Sequence, residues 1–470
     1  MCVIELKISR LKMGHNSKYF ILLAFVLYFL ISCQNSENKR KNPFENEDSD
    51  SFVEITNSSN ADTLYLSWKL VDSKLSFDNY RVEVSKPVTV KTVEKNRAET
   101  FFTHIPYDEP VTVSISLIKN RELIKTCSTN VKIDGLDKVI AGIIIPDQNS
   151  VTGGDGMYSI ALPDGRSIFL MGDSYIGQVS NGQRSTSDHM YRNTYIMYNN
   201  GNVSAIYGAN NNKNSSAAVP PDYPNEQKWY WPGHGFVDGN KLYIFQTYMY
   251  QGSEGMWGFM YETTHILEYS LPNLELVKTT PIPFKGSADV HYGMAAIKEG
   301  DYIYIYAQVD IRNDMDPISE VLVARSSADR LYTSWEYYNG SGWSSNSSEA
   351  VKLEGLASVP VSSQFNVFKL NGKYVLLTQK KTFKSGEIYT FIADNPFGPW
   401  RNKQLIFKTN EQNIKNLFTY NAMAHPQFVK DGMILISYNV NTEVYAEQFS
   451  DVSTYRPRFF WVEIDKILNN

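Results

Sequence analysis

Residues 154–174, with the sequence GDGMYSIALPDGRSIFLMGDS, contain the pattern that predicts the fold. Two apolar runs flank Pro163-Asp164-Gly165, a sequence typical of a three-residue hairpin loop that is closed by a left-handed glycine. Four further hairpins of this kind begin at Gly233, Val290, Ser362 and Ala424. One or two more strands follow each hairpin. A four-stranded unit repeated five times predicts a five-bladed β-propeller over residues 150–466.

A separate unit precedes the repeats, over residues 52–145. Its short runs alternate apolar and polar residues, which predicts strands with one face in a sandwich core. Trp68 and Tyr80 resemble the core tryptophan and tyrosine of fibronectin type III domains. That resemblance implies a fibronectin III or immunoglobulin-like β-sandwich, which we interpret as a spacer or docking module. The predicted fold class is therefore all-β, an N-terminal β-sandwich plus a C-terminal five-bladed β-propeller.

The N-terminus carries an export signal. Residues 19–31 are an uncharged apolar run, too short to span a bilayer comfortably and of the size of a signal-peptide core. The run ends in Leu-Ile-Ser-Cys, which resembles the lipobox of bacterial lipoproteins. The resemblance implies a signal peptide over residues 1–33 and lipidation at Cys33. Gln34 follows the cysteine, where an aspartate would favour inner-membrane retention. We therefore expect a lipid anchor in the cell outer membrane. The protein then faces either the periplasm or the cell exterior.

The polar and charged residues 34–51 cannot bury enough apolar surface to fold, which predicts a flexible tether. The formal net charge of −5 offers no basic surface for nucleic acid. The chain has no Walker loop, no paired CxxC and no HExxH helix. We therefore expect no cofactor, assign no metal ligands, and expect a monomer whose partner is a polysaccharide or oligosaccharide.

Polar residues open the first strand of each predicted blade. In a propeller this strand lines the central channel. Aligning the hairpins predicts that one register contains Asp155, His234, His291, Gln364 and His425. Three of the chain's seven histidines fall in this set. The residues either close the axis as hydrogen-bonded plugs or ring a funnel that binds substrate, and we assign the last four to substrate binding.

The first hairpin predicts a pair of acids. A three-residue loop pairs Leu162 with Arg166, and continuing that register places Asp155 directly opposite Asp173. Such proximity raises the pKa of one carboxyl group, so that one acid and one base are available to cleave a glycosidic bond. A two-residue loop would instead send the side chains to opposite faces of the sheet.

Aromatic side chains near these positions suit the apolar faces of sugars. We predict substrate contacts for Trp229 and Trp231, in the WYWPGHG segment that enters the second blade, and for Tyr292. Arg192 could bind a carboxylate or a sugar hydroxyl, and could equally pair with Asp155 or Asp173. Many aromatic residues of this region are alternatively packed between blades as core.

The first hairpin also resembles the opening of the propellers in glycoside hydrolase family 183, whose members are endo-acting D-arabinanases. The family has an aspartate at the start of the first inner strand and another in a Gly-Asp-[Ser/Thr] triplet, and Asp155 and Gly172-Asp173-Ser174 match these places. The resemblance implies that Asp155 and Asp173 are the acid/base pair, without saying which is the acid. The alternatives are a non-catalytic glycan-binding surface lipoprotein, which needs the aromatics but not the paired acids, and a structural or adhesion module.

Overall fold

Two small sheets form the N-terminal unit. The computed structural model describes residues 52–60, 63–103, 105, 110–132, 148–223, 227–255, 258–311 and 318–469. One sheet has the order β1-β2-β5, and its strands are β1 (Val53–Asn60), β2 (Thr63–Leu70) and β5 (Glu99–Phe102). The other has the order β4-β3-β6-β7, with β3 (Asn79–Ser85), β4 (Val88–Glu94), β6 (Pro110–Lys119) and β7 (Glu122–Lys132).

The core between these sheets is aromatic and aliphatic. Trp68 and Tyr80 are both buried, with ring centroids 5.1 Å apart in an edge-to-face contact. The predicted sandwich and its two core aromatics are thus confirmed, while membership in the fibronectin type III family stays a prediction. The predicted signal peptide, the lipidation site Cys33 and the tether lie outside the described residues. No helix in the described part of the chain is long and apolar enough to cross a membrane.

Five further sheets follow in chain order. The first contains β8 (Gln148–Ala161), β9 (Ser167–Ser180), β10 (Gln183–Arg184), β11 (Met190–Asn199) and β12 (Asn202–Ile206). The second contains β13 (Lys228–Asp238), β14 (Lys241–Gln251), β15 (Phe259–Ser270) and β16 (Glu275–Pro281). The third contains β17 (Val290–Glu299), β18 (Tyr302–Ile311), β19 (Ile318–Ser327), β20 (Glu336–Tyr338) and β21 (Trp343–Ser344).

The fourth sheet contains β22 (Asn366–Leu370), β23 (Lys373–Gln379), β24 (Glu387–Ala393) and β25 (Arg401–Lys408). The fifth contains only β26 (Leu417–Lys430), β27 (Met433–Thr442) and β28 (Pro457–Glu463). The short helices are α1 (Glu447–Ser450) and α2 (Ile464–Leu468), together with 3₁₀ turns at Ala209–Asn211, Ala328–Arg330, Ser347–Glu349, Glu411–Asn413 and Val452–Tyr455.

The sheets are the blades of a propeller. Their first strands, β8, β13, β17, β22 and β26, contact one another in sequence, and β26 returns to β8 to close the ring. The prediction of five blades is confirmed. The fifth blade has three strands among the described residues instead of the predicted four, and β1 of the sandwich approaches its outer strand β28. The sandwich therefore lies where a fourth strand would cover the open edge.

The first hairpin has the predicted three-residue loop. The amide of Leu162 donates to the carbonyl of Arg166 over 2.8 Å, Gly165 has φ +86°, and Ala161 faces Ser167. The register shifts between Gly156 and Tyr158, however, so that Asp155 faces Gly172. The predicted direct pairing of Asp155 with Asp173 is therefore wrong, because a β-bulge inserts one extra residue into β8.

Bulges also separate the residues that the repeat alignment placed in one register. The first strands of blades one, two, three and five each contain such a shift. His234 lies inside the shift of β13, His291 lies before the shift of β17, and His425 lies after the first shift of β26. The three histidines are therefore not at one level of the axis, which corrects the single polar ring predicted from the hairpins.

Candidate active site

Asp155 lies on β8 beside the bulge, where the backbone is strained. The next residues, Gly156 and Met157, have φ values of +91° and +115°. Glycine adopts such values readily, whereas methionine pays on the order of 1–3 kcal/mol for them. Gly172, opposite Asp155, has no side chain, and a Cβ atom there would lie 3.7 Å from the Cβ atom of Asp155. The bulge thus aims Asp155 over an open position of the neighbouring strand.

Two tyrosines of the fifth blade surround the Asp155 carboxyl group. Tyr420 on β26 donates a hydrogen bond to Oδ1, and the Tyr455 hydroxyl, which donates to the backbone carbonyl of Asp173, lies near the same carboxyl group. Burial and then the negative charge of Asp173 raise the pKa of Asp155 to about 7, although both tyrosine hydroxyls lower it. Asp155 is therefore divided between its protonated and ionised forms near neutral pH.

Asp173 lies close enough to Asp155 to affect its ionisation, but it has other partners. Trp231 Nε1 donates to Asp173 Oδ1 over 2.9 Å, and Arg192 Nη1 lies 3.4 Å from the same oxygen. Burial raises the pKa of Asp173, while Arg192 and Trp231 lower it in part. These donors favour the carboxylate form of Asp173. The two acids are thus brought together across a bulge. Asp155 accepts from a neutral tyrosine hydroxyl, whereas Asp173 binds a neutral indole N–H and a cationic guanidinium.

Three aromatic rings and one guanidinium group form one side of the site. We call this surface the tryptophan wall, and it consists of Trp229, Trp231, Phe259 and Arg192. The rings of Trp229 and Trp231 meet edge to face at 5.6 Å, and Trp231 meets Phe259 at 4.8 Å. Arg192 Cζ lies 4.3 Å from the centre of the Trp229 ring, and 42% of its side chain is exposed. Of the predicted substrate-contact residues, the structure brings Arg192, Trp229 and Trp231 to the aspartates.

A second line of rings, which we call the phenylalanine row, starts at Tyr420 and contains Phe418 and Phe383. Phe418 and Tyr420 are two residues apart on β26 and so share one face of the strand, with ring centroids 5.5 Å apart. Phe383, in the loop between β23 and β24, lies 5.7 Å from Phe418 and is 65% exposed. The row leads from the Asp155 carboxyl group to the surface.

Two of the predicted substrate-binding histidines are hydrogen-bonded between strands of the propeller, His425 fully buried and His234 half-buried. His234 Nδ1 accepts the amide hydrogen of Ala296 over 3.1 Å, and burial lowers the pKa of His234 to about 4. His425 has no exposed surface, its two ring nitrogens contact Ser159 Oγ at 2.8 Å and Ser437 Oγ at 2.9 Å, and burial lowers its pKa to about 3. Both rings are neutral at pH 7 and link neighbouring strands. This is the role expected of residues that close the axis as hydrogen-bonded plugs.

The remaining predicted residues divide between the site and the core. Gln364 donates to the carbonyl of Pro232 over 2.9 Å and accepts from Asn421 over 2.9 Å, so it joins three blades next to Trp231 and Tyr420. His291 stacks on Tyr261 at 4.0 Å, and its Nε2 lies 2.9 Å from the carbonyl oxygen of Ala288. Tyr292 has no exposed surface and packs on Trp335 in the third blade. The structure does not bring Tyr292 to the aspartates.

Tyr420 and Tyr455 were missed by sequence reasoning. Tyr420 precedes the fifth hairpin by only a few residues, and extending the apolar pattern back to Leu417 would have included it in the first strand. Tyr455 ends a 3₁₀ turn inserted between β27 and β28, which has no counterpart in the repeat. No group of three or more potential metal ligands occurs among the described residues.

The arrangement can transfer protons. Asp155, with a pKa of about 7, lies beside Asp173, whose pKa is raised by burial and lowered in part by Arg192 and Trp231. Such a pair can donate a proton to one oxygen while the other group acts as a base or nucleophile. Aromatic surfaces on two sides are typical of a site that binds rings or sugars.

Comparison with known proteins places the fold in context. A supposed hydrolase from Bacteroides ovatus ATCC 8483 has a similar structure, with a TM-score of 0.55 and 19% identity over 75% of this chain and 90% of that chain. A GH43_1 enzyme from Xanthomonas citri, solved with xylose, has a TM-score of 0.40 and 13% identity over 69% of this chain and 91% of that chain. Levansucrase of Bacillus subtilis (strain 168) is 32% identical over 106 residues, which are 20% of this chain and 22% of the levansucrase.

A family match covers the whole propeller. Residues 146–464 match the family described as "Domain of unknown function (DUF5005)". The matched segment includes both aspartates, both tyrosines of the site and all five blades, and it leaves out the sandwich. The chain therefore belongs to the DUF5005 family.

Proposed function

We propose that the protein is a glycoside hydrolase that cleaves an arabinofuranose-containing polysaccharide at the bacterial cell surface. The observation that carries this proposal is the pair of partly buried aspartates, of which Asp155 has a pKa of about 7. Glycosidic bond cleavage requires one carboxylic acid and one carboxylate on opposite sides of the scissile bond. The two aspartates have different environments. The difference favours a protonated Asp155 and an ionised Asp173, as this chemistry requires.

Asp155 is the general acid in this proposal. Its protonated form is substantially populated at neutral pH, so it can protonate the leaving-group oxygen. Arg192 and Trp231 bind the carboxyl group of Asp173 and favour its ionised form, against the effect of burial. Asp173 acts as the base that activates water or as the nucleophile. The separation of the two carboxyl groups in a substrate complex distinguishes the inverting mechanism from the retaining one.

The aromatic surfaces indicate where a sugar chain binds. The tryptophan wall contacts Asp173, and the phenylalanine row contacts Asp155 through Tyr420. A polysaccharide that crosses the site from wall to row has sugar units on both sides of the acids, which supports endo action. Phe383, exposed at the outer end of the row, is the most distant sugar platform of this path.

Arabinan is proposed as the substrate because of the first blade. Asp155 and the Gly172-Asp173-Ser174 triplet occupy the places of the two aspartates in glycoside hydrolase family 183, which the sequence resembles. The surface location is proposed from the lipobox that ends at Cys33 and from the polar tether over residues 34–51. The sandwich, whose Trp68 and Tyr80 resemble those of fibronectin type III domains, then holds the propeller away from the membrane.

A polysaccharide panel tests the proposal. The full chain and its Asp155→Asn variant are incubated with arabinans, xylans, levans and bacterial cell-wall polysaccharides, and new reducing ends are measured. We expect the wild type to release reducing ends from an arabinofuranose-containing polymer. The rate for the variant should be lower by about a hundredfold or more. Tight binding of an oligosaccharide without release by the wild type would refute the enzyme and favour the glycan-binding lipoprotein.

A further inference from the structure

The sandwich and the fifth blade share a core. Tyr65 of β2 and Phe101 of β5 are buried in the same hydrophobic cluster as residues of β26, β27 and β28. The hydroxyl of Tyr65 donates to Glu411 Oε1 over 2.9 Å, and Arg458 Nε lies 3.5 Å from the same oxygen. Glu411 and Arg458 are both buried. The sandwich is thus packed against the propeller, so that of the two roles predicted from the sequence, spacer or docking module, the packing favours docking.

One contact of this interface reaches a turn of the propeller. Lys91 of β4 forms an ion pair with Asp451 at 2.8 Å, and its ammonium group also lies 4.4 Å from the centre of the Phe101 ring. Burial raises the pKa of Asp451, but Lys91 and the hydrogen bonds from Ser453 together lower it below its ordinary value. Lys91 of the sandwich thus favours the ionised form of Asp451.

Asp451 in turn caps the 3₁₀ turn Val452–Tyr455. Its Oδ1 accepts from the amide of Ser453 over 3.1 Å and from the hydroxyl of Ser453 over 2.5 Å. An ionised cap binds the free N–H groups at the start of a turn and fixes where the turn begins. The turn is only four residues long, so fixing its first residue also fixes its last.

The last residue of that turn is Tyr455, which reaches the aspartates of the site. Its hydroxyl donates to the backbone carbonyl of Asp173 over 2.7 Å and lowers the pKa of Asp155. The ring is buried and meets Tyr175 edge to face at 6.0 Å. A continuous series of contacts therefore joins Lys91 in the sandwich to the backbone of Asp173 in the propeller, through Asp451 and Tyr455.

We propose that Lys91 is a positioning residue for the active site, which acts through Asp451 and the 3₁₀ turn to hold the Tyr455 hydroxyl against the backbone carbonyl of Asp173, beside Asp155. The sandwich is thus part of the catalytic unit. The role assigned to Asp155 rests on the proposed function, whereas the contact series does not. The groups that act on the ionisation of Asp155 are Asp173, Tyr420 and Tyr455, and the series reaches Tyr455 and, through it, the backbone of Asp173.

The test measures the ionisation of Asp155 itself. The full chain is labelled with ¹³C-carboxyl aspartate, the Asp155 signal is assigned by its loss in Asp155→Asn, and its pKa is measured by NMR titration in Lys91→Met. The Tyr455 hydroxyl lowers the pKa of Asp155, so we expect this pKa to rise by about half a unit or more when the turn no longer holds Tyr455 in place. Tyr455→Phe is expected to give a similar rise. The double variant with Tyr455→Phe and Lys91→Met is expected to give no further rise in the pKa of Asp155.

Two controls separate positioning from a general loss of the interface. Lys415→Met removes another sandwich–propeller ion pair, Lys415–Glu94 at 3.0 Å, which does not touch Asp451. It should leave the pKa of Asp155 unchanged, and Lys91→Arg should retain the wild-type value. Asp451→Asn tests the same series from the propeller side if Lys91→Met fails to unfold cooperatively.

An unchanged pKa of Asp155 in both Lys91→Met and Asp451→Asn, or an equal rise in Lys415→Met, would overturn the positioning role. The titration needs no substrate, so it decides this inference even if the polysaccharide panel shows no hydrolysis. Conversely, hydrolysis that persists in Asp155→Asn would refute the proposed function while leaving the Lys91 titration interpretable.

Discussion

Replacing Asp155 by asparagine is expected to stabilise the folded chain by an amount that depends on pH. In the folded protein the pKa of Asp155 is about 7, against an ordinary value of 3.8. Between these values the unfolded chain releases a proton that the folded chain keeps, so wild-type stability falls as pH rises through this window. Above pH 7 the full cost is present, and below pH 3.8 none of it is.

The size of the effect follows from the pKa difference. One pKa unit corresponds to 1.36 kcal/mol, so a difference of about three units costs the wild type about 4 kcal/mol at alkaline pH. This difference already includes the effect of Tyr420 and Tyr455, which lower the pKa of Asp155. Asparagine resembles the protonated acid, so the expectation for Asp155→Asn is a gain of about 4 kcal/mol at about pH 8 and of under about 1 kcal/mol at about pH 4.

Urea unfolding of the wild type and the variant at these two pH values measures the difference. Asp164→Asn is a matched control, because Asp164 lies in the hairpin loop of the same blade and pairs with Arg166 at 2.7 Å. Hydrogen bonds from Arg166 lower the pKa of Asp164, so its variant should lose a little stability at alkaline pH. An equal gain for Asp155→Asn at both pH values, or a loss at about pH 8, would show that the folded chain does not hold a proton on Asp155.

Asp173→Asn should lower turnover at least about a hundredfold and should move the alkaline limit of the residual activity to lower pH, because the charge of Asp173 raises the pKa of Asp155. A pH–rate profile with an unmoved alkaline limb would remove Asp173 from the pair. Trp231→Ala should raise KM more than it lowers kcat, and a larger effect on kcat would argue against a sugar platform. Phe383→Ala should raise KM about tenfold for long oligosaccharides and little for short ones, as steady-state kinetics with a length series would show. Cys33→Ala should abolish incorporation of labelled palmitate, and persistent labelling would contradict the lipobox assignment.

The propeller was predictable because its signal is local and repeated. The loop at Pro163-Asp164-Gly165 sets the hairpin register from residue types alone, and the structure has that register as far as Tyr158. Five occurrences of the same pattern then predict the blade number. The sandwich strands were predictable for the same reason, since their alternation places Trp68 and Tyr80 on inner faces.

The site was only partly predictable because bulges interrupt the counting. The extra residue at Met157 leaves no clear pattern in the sequence, and it moves Asp155 from Asp173 to Gly172 as the facing residue. Similar shifts take His234 and His425 out of the common register. The two aspartates are nevertheless neighbours, because Gly172 leaves space between the strands that a larger residue would fill.

The tyrosines of the site were unpredictable for a different reason. Tyr455 reaches Asp173 across 282 residues of chain, from a turn that the repeat does not contain. Nothing in the local sequence of Tyr455 specifies that contact, since it depends on how the fifth blade closes against the first. Long-range ring closure is decided by packing of the whole propeller.

The three-stranded fifth blade has a consequence for the order in which the chain matures. Tyr65 and Glu411 are separated by 346 residues, so a ribosome completes the sandwich long before its partner surface exists. Until β26, β27 and β28 are synthesised, the aromatic face of Tyr65 and Phe101 has no cover. A copy that lacks these strands would present that apolar face to chaperones and proteases. Packing of the sandwich against the fifth blade thus shields Tyr65 and Phe101 from solvent.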